Sequence, residues 1–172
     1  MKKFIYVFAL FILGSSAIFA QTAAPSKTVS KTVEIVEREK FDPTKNPNDD
    51  LQTAIAAATK QNKRIVLDVG GEWCGWCIHM DKFLAARADL KKLRDENFVW
   101  VKINMSEENE NKEFLSKYPE IKGYPHLFVL EKDGSLLKSK DTSELEDGKT
   151  YNPQKFMDFL KEYAPVKTTA AK

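Results

Sequence analysis

The chain has 172 residues, of which 27 are basic and 25 are acidic. This length is typical of one domain of ordinary size with additional segments. Because the two charges nearly balance and no stretch of the chain concentrates positive charge, the composition excludes a typical nucleic-acid-binding protein.

The first 20 residues differ from the rest of the chain. Lys2 and Lys3 precede an apolar run over residues 4–13, and small residues follow before Gln21. A positive start, an apolar run of about 7–15 residues and a small-residue cleavage site are typical of a secretory signal peptide. A membrane anchor would need about 20 apolar residues. We therefore predict a signal peptide over residues 1–20 and an exported protein, periplasmic in a bacterium.

The next segment, residues 21–48, is predicted to be a linker with one short strand over residues 32–37. Its second half contains Pro43 and Pro47, which favour a loop. Asp49 or Asp50 can then cap a helix with one apolar face. Residues 64–69 are rich in β-branched side chains and predict a buried strand. A helical pattern follows through Met80, Phe83 and Leu84.

The second half of the chain continues to alternate strands and helices. Residues 98–103 and 127–130 predict strands, with a polar helix between them through Phe114 and Leu115. Asp133 and Gly134 favour a hairpin turn into a strand over residues 135–138. Asn152 can cap a last helix that has Pro153 at its first position, and the tail over residues 165–172 is predicted to be disordered. This order describes an α/β fold, a small central sheet covered by helices on both faces.

Cys74 and Cys77 are the only cysteines, and they stand three positions apart. Exported proteins normally use cysteines as long-range disulfides, whereas a bridge between these two would remove little chain entropy from the unfolded state. The pair is better explained by a chemical role than by a stabilising one. At the start of a helix, free amide groups and the helix dipole favour a thiolate. Cys74, at the exposed end, would attack a partner's disulfide, and Cys77 would then release the product.

Two cysteines at this spacing have other known uses in proteins. Covalent haem attachment needs a histidine directly after the second cysteine, where Ile78 stands. A structural zinc site needs four ligands, usually two such cysteine pairs, and the chain has one pair. Copper binding by the two cysteines with Met80 or His79 stays open, as in a copper metallochaperone or assembly factor. A partner-binding module whose cysteines are redox-inert is the other alternative.

Four ordered segments resemble thioredoxin-like proteins. Residues 65–77, which end in Trp-Cys-Gly-Trp-Cys, resemble that superfamily's active-site strand and turn. Residues 101–104 resemble its central strand with a lysine, residues 121–128 the segment with its cis-proline, and Asp133-Gly134 the following hairpin. The resemblance covers roughly residues 50–163. It implies a thioredoxin-like α/β/α sandwich with a central mixed sheet over residues 49–164, preceded by an N-terminal extension.

The resemblance also implies catalytic residues besides the redox disulfide pair Cys74 and Cys77. Asp68 would be a buried carboxylate near Cys77, and burial raises a carboxyl pKa. It could therefore take and return a proton as Cys77 changes state. Lys102 would lie beside Asp68 and influence its titration.

Substrate-binding residues follow from the same resemblance. Pro125 would follow a cis peptide bond, which only X–Pro bonds adopt at low cost. Tyr124 would offer main-chain hydrogen bonds to an extended client by adding a strand. Trp73 and Trp76 would present a flat apolar surface to partners, and Trp76, between the cysteines, is expected to be the more exposed of the two.

The implied function is that of a protein-disulfide oxidoreductase acting on protein thiols and disulfides, with a reductase or isomerase favoured. Trp76 stands where thioredoxin has proline, and this dipeptide influences the reduction potential, so the direction of electron flow stays open. We expect a monomer that needs no bound cofactor or metal. A membrane protein would donate or accept its electrons.

Overall fold

The computed structural model describes residues 38–166, and a four-stranded mixed sheet lies at its centre. The strands are β1 (Arg64–Gly70), β2 (Phe98–Asn104), β3 (His126–Leu130) and β4 (Leu136–Asp141), in the spatial order β2-β1-β3-β4. β1 pairs in parallel with β2 and antiparallel with β3, and β3 pairs antiparallel with β4. β1 is therefore central, which explains why every residue of this strand after Arg64 is buried.

The helices of the described region are α1 (Pro47–Gln61), α2 (Gly75–Ala85), α3 (Ala88–Asn97), α4 (Lys112–Leu115) and α5 (Pro153–Glu162). A 3-10 helix over Thr142–Leu145 and a hairpin of two short strands, β5 (Glu146–Asp147) and β6 (Thr150–Tyr151), connect β4 to α5. None of the helices between residues 38 and 166 combines the length and the apolar character that crossing a membrane requires.

Two hydrophobic layers cover the sheet. Successive residues of a strand point to opposite faces, and β1 divides its side chains accordingly. Ile65, Leu67 and Val69 pack with residues of α1 and α4 on one face. Val66 packs on the other face with residues of α2, α3 and α5. The sequence-based expectation of a sheet covered on both faces is confirmed.

Local sequence signals predicted the N-terminal cap of one helix correctly and that of another incorrectly. α5 is capped by Asn152, whose side chain accepts from the main-chain N–H groups of Gln154 and Lys155 at 2.9 and 3.1 Å, as predicted. The predicted cap of α1 at Asp49 or Asp50 is wrong. The helix begins at Pro47 and is capped by Asn46, because proline is well suited to the first helical position, where no N–H donor is needed.

Three further differences concern which elements form and where they begin and end. α3 was not predicted, because its charged sequence offers only a narrow apolar face around Leu90. The helix at Phe114 is a single turn. β4 starts one residue later than expected and runs on to Asp141, because that residue still pairs with His126 of β3.

Several predictions lie outside the described residues. These are the signal peptide over residues 1–20, the strand over residues 32–37 and the final six residues of the predicted tail. The limits of the predicted domain, residues 49–164, stay a prediction, and the first of them falls inside α1.

Candidate active site

Cys74 and Cys77 are joined by a disulfide at the N-terminus of α2, with their Cα atoms 5.2 Å apart. Cys74 is the N-cap residue, and its Sγ accepts a hydrogen bond of 3.1 Å from the main-chain N–H of Cys77. In the reduced protein the same N–H and the helix dipole stabilise negative charge on Cys74. The local geometry therefore favours a thiolate at the first cysteine.

The disulfide is less exposed than the sequence suggested. Cys77 is fully buried and Cys74 is 5% exposed. Phe41, Trp76 and Tyr124 pack around the two cysteines. The expectation that Cys74 lies at a clearly exposed end is wrong for the disulfide form, because these aromatic side chains cover most of its surface.

Two glycines before the cysteines allow close packing on the backbone. A methyl group at Gly70 would lie 2.5 Å from Sγ of Cys77. A methyl group at Gly71 would lie 2.7 Å from Cδ1 of Trp73 and 2.8 Å from the carbonyl oxygen of Met105. Real side chains do not tolerate such distances, so both positions require glycine for this arrangement of sulfur and indole.

The two tryptophans differ in exposure in the opposite sense to the prediction. Trp73 is 58% exposed, although its Nε1–H donates to the carbonyl of Met105 at 2.6 Å. Trp76 is half-buried, with its ring centroid 5.2 Å from that of Tyr151 and 5.4 Å from that of His79. Tyr151, contributed by β6, fills the space beside Trp76 and explains its lower exposure.

Tyr124 and Pro125 lie in a turn beside the cysteine pair. The peptide bond between them is cis, as expected from the sequence. The Tyr124 ring packs edge-on against Trp73, with centroids 5.6 Å apart, and against the disulfide cluster. The carbonyl of Pro125 accepts a buried hydrogen bond of 2.6 Å from Oγ1 of Thr142. The turn and the exposed indole thus form a surface beside the buried disulfide.

Asp68 and Lys102 form a buried ion pair behind this surface. Nζ of Lys102 donates to Oδ2 of Asp68 at 3.0 Å and to Oδ1 of Asp81 at 2.8 Å. Nε1–H of Trp100 also donates to Oδ2 of Asp68, at 3.1 Å. The other carboxylate oxygen of Asp68 has no hydrogen-bond partner in the described part of the chain. This oxygen is the free acceptor of the cluster.

The pKa values of both groups of this pair are raised, for different reasons. Burial raises the pKa of Asp68 above its ordinary value, although the Lys102 ammonium opposes the effect. Burial by itself would lower the pKa of Lys102, but the carboxylates of Asp68 and Asp81 outweigh it and raise that pKa. The site therefore combines a carboxyl group that binds a proton more readily than a free aspartate with an ammonium that stays charged at neutral pH.

Some residues of the site were not predicted from the sequence. Asp81 stands four residues after Cys77 on α2, hence on the same helix face, and this spacing was the available signal. Trp100 alternates with Lys102 along β2 and so shares its face of the sheet. Arg38, which donates to Asp81 at 2.9 Å, and Phe41 precede the predicted domain and carried no local signal.

Met80 and His79, the candidate copper ligands, make contacts of other kinds. Met80 is fully buried in the core with Phe83 and Leu84. His79 places Nε2 3.1 Å from Oγ1 of Thr150. Between residues 38 and 166, no group of three or more His, Cys, Asp or Glu side chains is arranged to hold a metal ion.

Residues 46–132, half of the chain, match the family described as thioredoxin-like. The chain belongs to the thioredoxin-like family. This chain has a disulfide at the N-terminus of a helix and a cis-proline turn beside it. The sequence-based identification is confirmed.

Curated relatives and solved structures agree with this family assignment of the chain. It is 28% identical over 95 residues to the thiol:disulfide interchange protein DsbD of Colwellia psychrerythraea, covering 54% of this chain and 15% of that protein. It is 24% identical over 131 residues to DsbD of Pseudoalteromonas atlantica, covering 76% and 21%. The chain therefore spans about a fifth or less of these relatives.

Two solved structures show the same fold. The disulphide isomerase from Xylella fastidiosa Temecula1 matches with a TM-score of 0.62 and 26% identity, over 71% of this chain and 94% of that one. The oxidised C-terminal domain of DsbD from Neisseria meningitidis matches with a TM-score of 0.51 and 21% identity, over 73% and 99%. The predicted α/β/α sandwich is confirmed, and the fold is of the disulfide-oxidoreductase type.

Proposed function

We propose that this chain is an exported thiol–disulfide oxidoreductase that exchanges disulfides with client proteins through a mixed disulfide on Cys74, as a reductase or isomerase. The observation that carries the proposal is the disulfide at the N-terminus of α2, with Cys74 as the N-cap residue. Such a position activates the first sulfur as a thiolate. The family and the names of the relatives, thiol:disulfide interchange protein and disulphide isomerase, support the same chemistry.

The first step begins from the reduced protein. The Cys74 thiolate attacks one sulfur of a client disulfide, forming a bond between Cys74 and that sulfur as the client's S–S bond breaks. The second client sulfur leaves as a thiolate and takes a proton from solvent. The product is a mixed disulfide, with Cys77 still a thiol.

The second step releases the client. The Cys77 thiol transfers its proton to Asp68, and the resulting thiolate attacks Sγ of Cys74. The mixed disulfide breaks, and the client sulfur leaves as a thiolate and is protonated through solvent as Asp68 releases the proton it took from Cys77. Overall, two electrons pass from the cysteine pair to the client, with one proton from Cys77 and one from solvent. The free acceptor oxygen of Asp68 and its raised pKa support this role.

The surface around the disulfide favours proteins as the substrates. Trp73 is exposed beside the cysteine pair, and an indole offers a large apolar area with low conformational entropy. Tyr124, before the cis peptide bond, offers its main chain to an extended client segment that adds as a strand. Pro125 and Trp76 complete the substrate-binding set.

Repeated reduction of clients needs a source of electrons. We place the protein in the periplasm after removal of the predicted signal peptide, as a monomer. A membrane protein with a reactive dithiol would then reduce the Cys74–Cys77 disulfide by the same two exchange steps in reverse. The name of the DsbD relatives, thiol:disulfide interchange protein, supports exchange of this kind with protein thiols and disulfides.

The test uses protein-disulfide reduction and trapping. With dithiothreitol as reductant, we expect the protein to accelerate insulin reduction, and we expect Cys77→Ser to accumulate disulfide-linked clients on Cys74 in cells. The matched variant Cys74→Ser should trap none. Failure of the wild-type protein to accelerate insulin reduction, with both cysteines shown to be reduced, would contradict the proposal and favour a binding module. Stoichiometric copper(I) binding that protects both thiols from alkylation would favour the metallochaperone instead.

A further inference from the structure

A short segment before α1 lies directly against the buried sulfur. Phe41 is 3% exposed and packs with Cys74 and Cys77. A methyl group built on Gly70 would lie 2.5 Å from Sγ of Cys77 and 3.1 Å from Cζ of Phe41. The phenyl ring and the second sulfur therefore border the same point above the backbone of β1.

Phe41 also covers the charged group behind the sulfur. Nζ of Lys102 lies 4.1 Å from the centroid of the Phe41 ring, and the same ammonium donates to Asp68. A cation over an aromatic face is attracted to it, and more strongly where water is excluded. One side chain thus shields both Cys77 and the Lys102–Asp68 pair.

The segment that carries Phe41 is held by hydrogen bonds to the active-site region. The main-chain N–H of Phe41 donates to Oε1 of Glu72 at 2.9 Å, and Glu72 stands two residues before Cys74. The guanidinium of Arg38 donates to Glu72 and, at 2.9 Å, to Oδ2 of Asp81. Arg38 therefore links the segment to Glu72, before the cysteine pair, and to Asp81, after it.

Asp81 connects this attachment to the buried pair. One of its carboxylate oxygens accepts from Arg38 and the other from Lys102. Charges of alternating sign consequently run from Glu72 through Arg38, Asp81 and Lys102 to Asp68. A displacement of Arg38 would leave Asp81 with one cation fewer and would free the Phe41 segment.

We infer that Phe41 is a positioning residue for the second exchange step, in which it keeps water and small reagents from Cys77, and that Arg38 holds Phe41 in place. This inference rests on the proposed function. With the ring in place, Cys77 stays fully buried beside Cys74 and behind the phenyl ring. Its reaction is thereby restricted to release of a client.

Cysteine-specific alkylation tests the inference. The reduced full-length protein is treated with iodoacetamide, and the rates at Cys74 and Cys77 are followed separately by peptide mass spectrometry. Because alkylation requires an accessible thiolate, Phe41→Ala should raise the rate at Cys77 about tenfold or more, and by a larger factor than the rate at Cys74. Phe41→Leu, which restores an apolar cover, should remain close to wild type.

Matched variants separate shielding from a general loss of stability. Phe114→Ala removes an equally buried phenyl ring from the opposite face of the sheet and should leave the ratio of the two rates unchanged. Arg38→Ala should raise alkylation of Cys77 in the same direction as Phe41→Ala. Arg64→Ala, which breaks the pair with Glu131 at the other end of β1, should not.

An unchanged Cys77 rate in folded Phe41→Ala, or an equal increase in Phe114→Ala, would overturn the inference. If Phe41→Ala does not fold, Arg38→Ala decides, and a wild-type rate at Cys77 in that variant would overturn it. Insulin reduction by the wild-type protein is measured alongside. Absence of that activity counts against the proposed function, whereas the alkylation ratio reports on Phe41 independently of catalysis.

Discussion

Asp68 shows how one residue depends on both local and distant neighbours. The apolar residues around it on β1 predict its burial, and the parallel register that pairs Asp68 with Lys102 supplies the counter-charge. Trp100 and Asp81 complete the cluster around the Asp68 carboxylate and the Lys102 ammonium. Because burial has the larger effect, the ionised carboxylate is less stable here than in water.

The raised pKa of Asp68 predicts a pH-dependent effect of Asp68→Asn on stability. The folded protein holds this proton more tightly than the unfolded chain, so the contribution of Asp68 to stability falls as pH rises from below 3.8 through the raised pKa. We therefore expect Asp68→Asn to increase the free energy of unfolding of the oxidised protein at neutral pH. The gain should shrink as the pH is lowered, and guanidinium denaturation at several pH values measures it.

The exposed residue Asp158 provides the control, since Asp158→Asn should not show this pH-dependent gain. The same Asp68→Asn variant should slow client release at neutral pH by about 100-fold, the lower end of what a general base contributes. A variant that loses stability at neutral pH and gains it in acid would contradict the assigned direction of the Asp68 shift.

The connection between β4 and α5 contacts two parts of the candidate active site. The sequence analysis predicts no element for residues 139–151. In the structure, Thr142 at the start of the 3-10 helix binds the carbonyl of Pro125. Tyr151 of β6 is fully buried against Trp76. The connection therefore supports both the cis-proline turn and the active-site helix.

Replacing Thr142 with valine tests this support. The substitution keeps the shape of the side chain and leaves the buried carbonyl of Pro125 without its donor, which costs about 1–3 kcal/mol. We expect a loss of stability of that size in urea denaturation and a several-fold lower kcat/KM for insulin reduction. Thr59→Val removes a longer, exposed hydrogen bond of 3.4 Å on α1 and should change neither quantity. Equal effects of the two variants would argue against a special role for Thr142.

The segment directly before α1 packs against the domain, which a linker would not do. Residues 21–48 were predicted to be a linker and extension, yet Arg38 and Phe41 contact α2 and β1. Pro43 also contributes, because its carbonyl accepts a hydrogen bond of 2.9 Å from Nδ2 of Asn109. The part of the extension from Arg38 onward therefore packs as part of the domain.

Two shortened chains test this inclusion. A chain of residues 30–172 keeps Arg38 and Phe41, whereas a chain of residues 42–172 removes both. Loss of the buried Phe41 side chain should lower the free energy of unfolding by at least about 3 kcal/mol, the usual effect of truncating a buried phenylalanine. Denaturant unfolding of both chains measures the difference. Equal stabilities would mean that the extension is dispensable for the domain.

The sequence by itself determined the α/β pattern, the N-terminal cap of the last helix and the cysteine pair at the start of a helix. Periodicity, capping and cysteine spacing act within a few residues of one another, so a linear sequence displays them. Family resemblance added Asp68, Lys102 and the cis-proline turn.

Only the tertiary structure decided what covers the disulfide and what surrounds Lys102. Arg38 meets Asp81 across 43 positions of the chain, and Nζ of Lys102 meets Asp68 across 34. Trp76 is half-buried because Tyr151, far along the chain, packs against it. Such contacts depend on the order of strands in the sheet and on which helix covers each face. No periodicity within a single element encodes them, because they arise only when distant segments pack together.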